Sequence, residues 1–463
     1  MPADPNCSGC QESAKVIARL EARVKSLEEM VERLLGRIDE LERAGKRQAG
    51  PFSKGDPKPN PKRPGRKPGE DYGTRAFRAV PEHVDETIPV ELPAGCPDCG
   101  GNVDEVDVAD QYQTDLPPVR PITRRFRVHI GCCRDCGRRV QPRHPLQTSD
   151  ALGAAGVQLG PNVLAFAAVL NKVYGPSWAR VGHLLEKAFG LKASASAYCR
   201  AALRLGERLG PTYESLKKAV AASPIVYPDE TGWRVGGHRR WLWVFVTAHV
   251  TVYRIAPSRG GEVAEEILGP DYAGILGRDG WAAYRRFVAA LHQSCVGHLM
   301  RRAHEILLVA KQGAAKFPHA VLRLFKAALD LRDRRESLSP HGFAVARGKI
   351  AAKLNWLLSW CPRWPLNSRF AKHLVSEREH LLTFLDVPGL EATNWPAEQA
   401  IRPAVIARKL SGCNRTDRGA SAQERLTSVA RTARQQDRDV FDLFSRVFRA
   451  AEPLDLALVP EPG

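Results

Sequence analysis

The sequence lacks any long hydrophobic run. None of its 463 residues belongs to an apolar stretch of eighteen, and no charged-then-apolar leader opens the chain. A membrane span needs about 20 consecutive apolar residues, and a secretory signal needs such a leader. We therefore expect no membrane partner and a cytoplasmic location.

Acidic residues are also in short supply. The chain has 51 Asp and Glu against 69 Lys and Arg, which gives a net charge of +18. An excess of this size suits a polyanionic partner, because neutralising phosphates supplies much of the affinity for nucleic acids. The alternative is a basic protein without such a partner. The length predicts two to four domains.

The cysteines do not form a disulfide-type pattern. Two of the C-x-x-C pairs, Cys96 with Cys99 and Cys133 with Cys136, are each followed by glycine. This pattern predicts one structural Zn²⁺ ion on four thiolates, in a zinc ribbon over residues 81–148. Four thiolates leave no open position, so a catalytic zinc is not expected there. Cys132 competes with its neighbour, but the two-residue spacing selects Cys133.

The segment between the two cysteine pairs alternates in character. Phe126, Val128 and Ile130 are apolar, and the residues between them are Arg125, Arg127 and His129. Alternation of this kind predicts a strand with one packed face and one basic face. The basic face is a candidate DNA contact.

The N-terminus (residues 1–46) carries a heptad repeat. One series of apolar residues is β-branched and the other is leucine, and the members of each series are seven residues apart: Ile17, Val24, Val31, Ile38; Leu20, Leu27, Leu34, Leu41. This repeat predicts a parallel dimeric coiled coil. The alternative is a helix packed on its own chain. Cys7 and Cys10 precede the repeat without a second pair nearby, so their role stays open.

A basic linker follows at residues 47–80. It is rich in Pro, Gly, Lys and Arg and poor in apolar residues, which predicts disorder. Arg63, Arg66 and Lys67 within it are candidates for the minor groove of DNA, where extended basic side chains meet a strong negative potential. The alternative is a solvated linker.

Residues 149–222 are expected to be helical. Ser177 can cap a helix that ends near Gly190, and Ser194 can cap the next one. Two helices joined by a short turn are compatible with helix-turn-helix DNA binding. The alternative is a pair of core helices.

Residues 223–299 predict the first part of an α/β catalytic core. A strand through Asp229 is followed by two strand-like segments, a helix over 260–268 and a strand that ends at Asp279. This order begins a ribonuclease-H-like fold, a mixed sheet flanked by helices, in which the first and fourth strands are neighbours. Asp229 and Asp279 would then meet. Glu230 should point to the opposite face of its strand.

A third acid, Glu398, is expected on a helix, with Arg402 one turn later. Three carboxylates from distant positions suit two Mg²⁺ or Mn²⁺ ions, since hard cations take oxygen ligands. Such ions, about 3.5–4 Å apart, support phosphodiester chemistry. We therefore predict that Asp229, Asp279 and Glu398 hold the catalytic metals.

The remaining segments are predicted as a helical insertion (300–386), a second core part with closing helices (387–450) and a loose tail (451–463). Trp356, Trp360 and Trp364 are spaced by four and are expected in the core. His298, Arg301 and Arg302 are candidates for phosphate contact. No second pair accompanies Cys295 and His298, which argues against a metal there.

Several segments, in the order in which they occur along the chain, resemble those of the DDE transposases of bacterial insertion-sequence family sixty-six. The first contains Tyr227-Pro228-Asp229-Glu230-Thr231-Gly232-Trp233. The others are Asp279-Gly280-Trp281, the Cys-x-x-His-x-x-Arg-Arg stretch from Cys295 to Arg302, Asn394 to Arg402, and Arg408-Lys409. The sequence departs from the expected family pattern at Val296, Trp395 and Gln399.

The resemblance implies a transposase that cuts double-stranded DNA at element ends and joins the 3′-hydroxyls to target DNA. It further implies a bacterial, nucleoid-associated protein and accessory proteins of the same element. Arg408, Lys409 and Arg415 are further DNA-contact candidates. The alternatives are a dimeric zinc-containing regulator without catalysis and a ribonuclease-H-like nuclease without strand transfer.

Overall fold

The computed structural model describes residue 16, residues 19–24, residue 27, residues 78–117 and residues 119–459. The chain divides into two units, Met1–Leu116 and Pro117–Gly463.

In the first unit, the described residues between 16 and 27 are helical, and Leu20, Val24 and Leu27 are exposed. Ile17, the heptad positions from Val31 onwards and the linker residues Arg63, Arg66 and Lys67 lie outside the described part of the chain. The dimeric coiled coil and the minor-groove contact therefore stay predictions. Residues 78–116 form turns and bends without helix or strand.

Each of the two C-x-x-C pairs folds into the same kind of turn. The Cys96 amide donates to the Gly101 carbonyl (2.8 Å), and the Cys133 amide donates to the Arg138 carbonyl (2.8 Å). Gly100 and Gly137 close the turns at φ of 72° and 68°, a region that glycine enters without steric cost. Backbone hydrogen bonds lower the pKa of the Cys96 and Cys133 thiols. The local geometry suits thiolate ligands, and zinc itself stays a prediction.

The predicted strand over residues 125–130 is wrong. This stretch has no strand, and Phe126 and Ile130 are exposed. Pairing begins only at β1 (Gly131–Cys132), which is antiparallel to β2 (Arg139–Val140). Alternation did not suffice because Phe126 and Ile130 have no buried surface to pack on.

The centre of the second unit is a mixed five-stranded sheet. Its strands are β3 (Ile225–Val235), β4 (His238–Val246), β5 (Thr251–Ala256), β6 (Ile275–Arg278) and β7 (Leu291–Ser294). They lie in the order β5-β4-β3-β6-β7. The first three pair antiparallel, whereas β6 is parallel to β3 and β7 is parallel to β6.

Helices cover both faces of this sheet. In chain order they are α1 (Pro161–Val169), α2 (Trp178–Phe189), α3 (Ala195–Arg208), α4 (Gly210–Ala221), α5 (Gly261–Leu268), α6 (Val296–Val309), α7 (Lys316–Asp333), α8 (Pro340–Leu358), α9 (Pro365–Ser376), α10 (Thr383–Asp386), α11 (Trp395–Ser411), α12 (Asp417–Gln435) and α13 (Val440–Arg449). A π-helical turn (Leu170–Tyr174) extends α1. Short 3₁₀ turns lie at 153–156, 282–286, 312–315, 335–337 and 378–380.

The two faces of the sheet face two different hydrophobic cores. From β4, Trp243 and Phe245 belong to a core that also contains residues of helices α1, α3, α4, α5, α12 and α13. Leu242 and Val244 point the other way, towards helices α6 to α11. Successive strand residues alternate between faces, so residues 242–246 of β4 are buried on both sides and form a continuous hydrophobic run.

The predicted strand order is confirmed, including the adjacency of the first and fourth strands. The helix boundaries set by capping residues are also confirmed, because Ser177 accepts from the Arg180 amide and Ser194 from the Ala197 amide. The protein is therefore α/β, with a mixed five-stranded sheet flanked by helices. This arrangement is compatible with a ribonuclease-H-like core.

One local prediction is wrong in part, and a second is wrong. Trp356 is 60% exposed, and α8 ends at Leu358, so the three tryptophans do not share one helix. Trp360 and Trp364 are half-buried and pack against the core, as predicted. The C-terminal tail, predicted to be loose, packs against the core up to residue 459. Leu456 and Leu458 are buried in the core, and the Thr212 hydroxyl donates to the Leu454 carbonyl at 2.8 Å. Apolar leucines between the prolines explain this docking.

Among the described residues, no helix is long and apolar enough to cross a bilayer.

Candidate active site

Asp229 and Asp279 are brought to the same level by the register of two parallel strands. Val226 of β3 pairs with Leu276 of β6. Asp229 lies three residues after Val226, and Asp279 lies three residues after Leu276, so the two aspartates are at equivalent positions of the two strands. Parallel neighbouring strands lie about 4.8 Å apart, so the two carboxylates project from adjacent strands at one edge of the sheet.

Glu398 lies in the first turn of α11, and Asn394, the residue before this helix, holds it against β3. The Asn394 side-chain amide donates to the Pro228 carbonyl at 2.8 Å, next to Asp229. The Asn394 carbonyl accepts from the Glu398 amide at 3.0 Å. The buried Tyr253 hydroxyl also donates to the Ala400 carbonyl of this helix at 2.5 Å. The third acid therefore reaches the sheet from a helix rather than from a strand.

The electrostatics indicate that the three acids share one small region. Burial and the negative charges of Glu230, Asp279 and Glu398 together raise the pKa of Asp229 to about 7, although a hydrogen bond from the Glu230 amide opposes them. Among the described residues, no Lys or Arg lies within 4 Å of the carboxylates of Asp229 and Asp279. Such a cluster repels itself unless a cation neutralises it.

Glu230 faces the other side of β3, as predicted. Its carboxylate pairs with Arg259 at 2.7 Å and accepts from the Tyr284 hydroxyl at 2.7 Å. Its cross-strand neighbour is Trp243, whereas that of Asp229 is Val244. Residues directly opposite one another share a face of the sheet, so Glu230 and Asp229 face different cores.

A buried ion network supports the backbone at Asp279. The Arg278 guanidinium, which is 1% exposed, pairs with the equally buried Glu377 at 2.9 Å and donates to the Asp279 carbonyl at 3.0 Å. Glu377 also pairs with Arg285 at 2.9 Å and accepts from the Ser294 hydroxyl at 2.5 Å. The helical segment 300–386, which contains Glu377, is thus anchored beside the second acid.

A cavity of about 510 Å³ opens beside Asp279. Its lining includes Asp279, His298, Arg301 and Arg302. The His298 Nδ1 atom lies 3.6 Å from the Glu398 Oε1 atom. Carboxylates and guanidinium groups thus share one cavity, which suits a ligand that carries both phosphate and metal.

The other predicted DNA contacts are spread over the unit. Arg125 and Arg127 are exposed on the segment before β1, and Arg402 and Lys409 are exposed on α11. The Arg408 guanidinium donates to the Gly232 carbonyl, so it holds α11 to β3.

Arg415 belongs to a second cavity, of about 620 Å³, bounded by α2, α3, α11 and α12. Lys172, Arg200, Arg431 and Arg434 also line it, and among the described residues its lining contains no carboxylate. Burial lowers the pKa of Lys172 to about 8. This cavity is a positively charged pocket with the chemistry to receive phosphate.

Sequence reasoning missed the residues that position the acids. Asn394 immediately precedes a helix whose second residue is Pro396, and a proline in the first turn is a signal for a helix start. Arg278 precedes Asp279 at the end of an apolar strand, where a charged residue needs a partner. Glu377 gave no comparable signal, since it lies about a hundred residues away on the chain.

No protein of curated function matches the sequence. The model of the transposase IS66 family matches residues 156–422, which is more than half of the chain and contains all three acids. A transposase acts on DNA, in agreement with the basic charge of the chain and with the positively charged second cavity. The chain belongs to the transposase IS66 family.

Proposed function

We propose that this transposase cleaves DNA at the ends of its element and joins the 3′-hydroxyls to target DNA at a site formed by Asp229, Asp279 and Glu398. The observation that carries the proposal is the register of β3 and β6, because it sets two carboxylates side by side. Asn394 holds α11 against β3, and this contact brings the third carboxylate, that of Glu398, towards the other two.

The residues at this site fit a pair of Mg²⁺ or Mn²⁺ ions. All three side chains offer oxygen, the ligand these hard cations take. The raised pKa of Asp229 reflects burial and uncompensated negative charge, which bound cations would relieve. When bound, the ions would activate the attacking oxygen and stabilise the leaving one.

The remaining polar residues would position the DNA. In the cavity beside Asp279, Arg301 and Arg302 would contact phosphates, and the helical segment 300–386 would hold Asp279 through Glu377. Arg415 and its cationic neighbours in the second cavity would bind the DNA backbone further from the cut. Arg125, Arg127, Arg402 and Lys409 supply exposed charge for the same purpose.

Four further features belong to this proposal. The sheet and its helices form a ribonuclease-H-like core. The cysteines 96, 99, 133 and 136 bind one structural Zn²⁺ ion. The N-terminal heptads form a dimer or a higher assembly, and proteins of the same element assist the reaction.

The test uses the full chain, Mg²⁺ or Mn²⁺, and DNA that carries the element ends. Asp229→Asn should bind DNA as the wild type does and lose both cleavage and joining. Asp271→Asn, at an exposed loop position, is the matched control and should keep both.

Joined product from Asp229→Asn would refute the catalytic assignment. Metal-dependent cleavage without joined product, with all proteins of the element supplied, would favour a nuclease instead.

A further inference from the structure

Three ligand-type side chains converge at the junction of α6 and α11. The Cys295 sulfur, a His298 ring nitrogen and a Glu398 carboxylate oxygen all lie within 4.8 Å of one another. Cys295 and His298 come from the start of α6, and Glu398 comes from the start of α11. Sequence spacing could not show this group, because the third ligand is about a hundred residues away.

The distances suit a small ion. Zinc binds sulfur at about 2.3 Å and nitrogen or oxygen at about 2.0–2.2 Å. Tetrahedral ligands at such distances lie about 3.3–3.7 Å apart. The separation of 3.6 Å between His298 Nδ1 and Glu398 Oε1 falls within that range. All three ligand atoms lie within 4.8 Å of one another, so they would need to move only slightly closer together to bind the same ion.

The backbone holds the two helix starts together before any ion arrives. The Val296 amide donates to the Ala392 carbonyl at 2.9 Å. The Asn394 amide donates to the Cys295 sulfur at 3.1 Å. An amide hydrogen bond to sulfur orients the atom, as hydrogen-bond partners of metal ligands commonly do. The site is therefore preorganised.

The His298 Nδ1 atom is buried and has no hydrogen-bond partner among the described residues. Buried polar atoms of proteins are normally satisfied. This nitrogen faces the Glu398 carboxylate beyond hydrogen-bond distance, which leaves a position where a cation could bridge the two groups. The cavity of about 510 Å³ is lined by Cys295 and His298 and provides an entry path.

We propose that Cys295, His298 and Glu398 form a binding site for a borderline-soft divalent cation of the Zn²⁺ class, and that its occupation inhibits the enzyme. One thiolate, one imidazole and one carboxylate favour Zn²⁺ over Mg²⁺, which prefers oxygen alone. A bound Zn²⁺ ion takes Glu398 away from Asp229 and Asp279. The inhibitory half of the proposal rests on the proposed function, whereas the binding half does not.

The binding test counts zinc in the full-length protein at a buffered free Zn²⁺ concentration. The wild type should hold one equivalent more than Cys295→Ser and one more than His298→Gln. Cys361→Ser, at an exposed cysteine, is the matched control and should equal the wild type. The difference of one equivalent holds whether or not the four C-x-x-C thiolates carry zinc.

The His298 side chain is 40% exposed, so His298→Gln should fold as the wild type does. A loss of zinc in this variant would therefore reflect the lost ligand and not misfolding. With Co²⁺ as the probe, the difference spectrum between wild type and Cys295→Ser should show a thiolate-to-cobalt band. Equal zinc content in the wild type and both variants would overturn the site.

The inhibition test measures Mg²⁺-supported end cleavage against rising Zn²⁺, with each protein normalised to its own zinc-free rate. Cys295→Ser should need at least about tenfold more Zn²⁺ for half inhibition, because losing a ligand should cost no less affinity than losing a hydrogen-bond partner of a ligand, which costs about 10–100-fold. Equal sensitivity, despite a lost equivalent of zinc, would overturn the inhibitory role. Absence of cleavage by the wild type would instead count against the proposed function and leave the zinc count standing.

Discussion

The buried pair of Arg278 and Glu377 allows a sharp prediction about how the helical segment 300–386 supports the active site. Both side chains are 1% exposed, and their charges are 2.9 Å apart. Glu377→Gln keeps the shape of the side chain and removes its charge, so Arg278 stays buried without a counter-ion. Arg285, the other cation on Glu377, is 48% exposed and can turn to water.

Removing one partner of a buried ion pair costs about 3–5 kcal/mol. We therefore expect Glu377→Gln to lower the free energy of unfolding by about that amount, measured by urea denaturation followed by tryptophan fluorescence. End cleavage should fall as well, because the Arg278 guanidinium also holds the Asp279 carbonyl.

The matched control is Asp386→Asn. Asp386 pairs with Arg347 at 2.7 Å, with the two side chains 50% and 37% exposed. Exposed pairs of this kind are worth about 1 kcal/mol or less. A loss in Glu377→Gln no larger than the loss in Asp386→Asn would refute the idea that the buried pair anchors this region.

The same carboxylate predicts a dependence on pH. Burial alone would raise the pKa of Glu377, but the Ser294 hydrogen bond and the charge of Arg278 outweigh it and hold the pKa below the ordinary 4.5. The wild type should therefore keep this stabilisation above about pH 4.5 and lose it as the pH falls through the lowered value, whereas Glu377→Gln should lack this loss in the same denaturation series. A second prediction concerns the contact between α3 and α12, where a methyl group on Gly206 would lie 2.7 Å from the Ala422 Cα atom. Gly206→Ala should lower the free energy of unfolding by about 1–3 kcal/mol, because the added methyl group overpacks this contact. Gly348→Ala, in an open position of α8, should raise the free energy of unfolding by about 0.5–1 kcal/mol. Equal thermal midpoints for the two variants would contradict this packing.

Local patterns in the sequence determined the secondary structure of the core well. The run from Ile225 to Val235, the aromatic strand after it and the strand ending at Arg278 are predictable because β-branched and aromatic residues favour strands. The helix starts at Ser177 and Ser194 are predictable because the cap is made by the residue itself. The nearness of Asp229 and Asp279 followed from strand order, which short connections restrict to few arrangements.

Only the tertiary structure decided what surrounds those acids. The Asn394 contact to Pro228, the Glu377 pair with Arg278 and the meeting of Cys295 with Glu398 join residues about 100 or more positions apart, and nothing local specifies such contacts. The same reason explains the failures at residues 125–130, at Trp356 and in the tail. Whether an apolar residue is buried depends on whether another part of the chain supplies a surface, and the sequence alone does not reveal that surface.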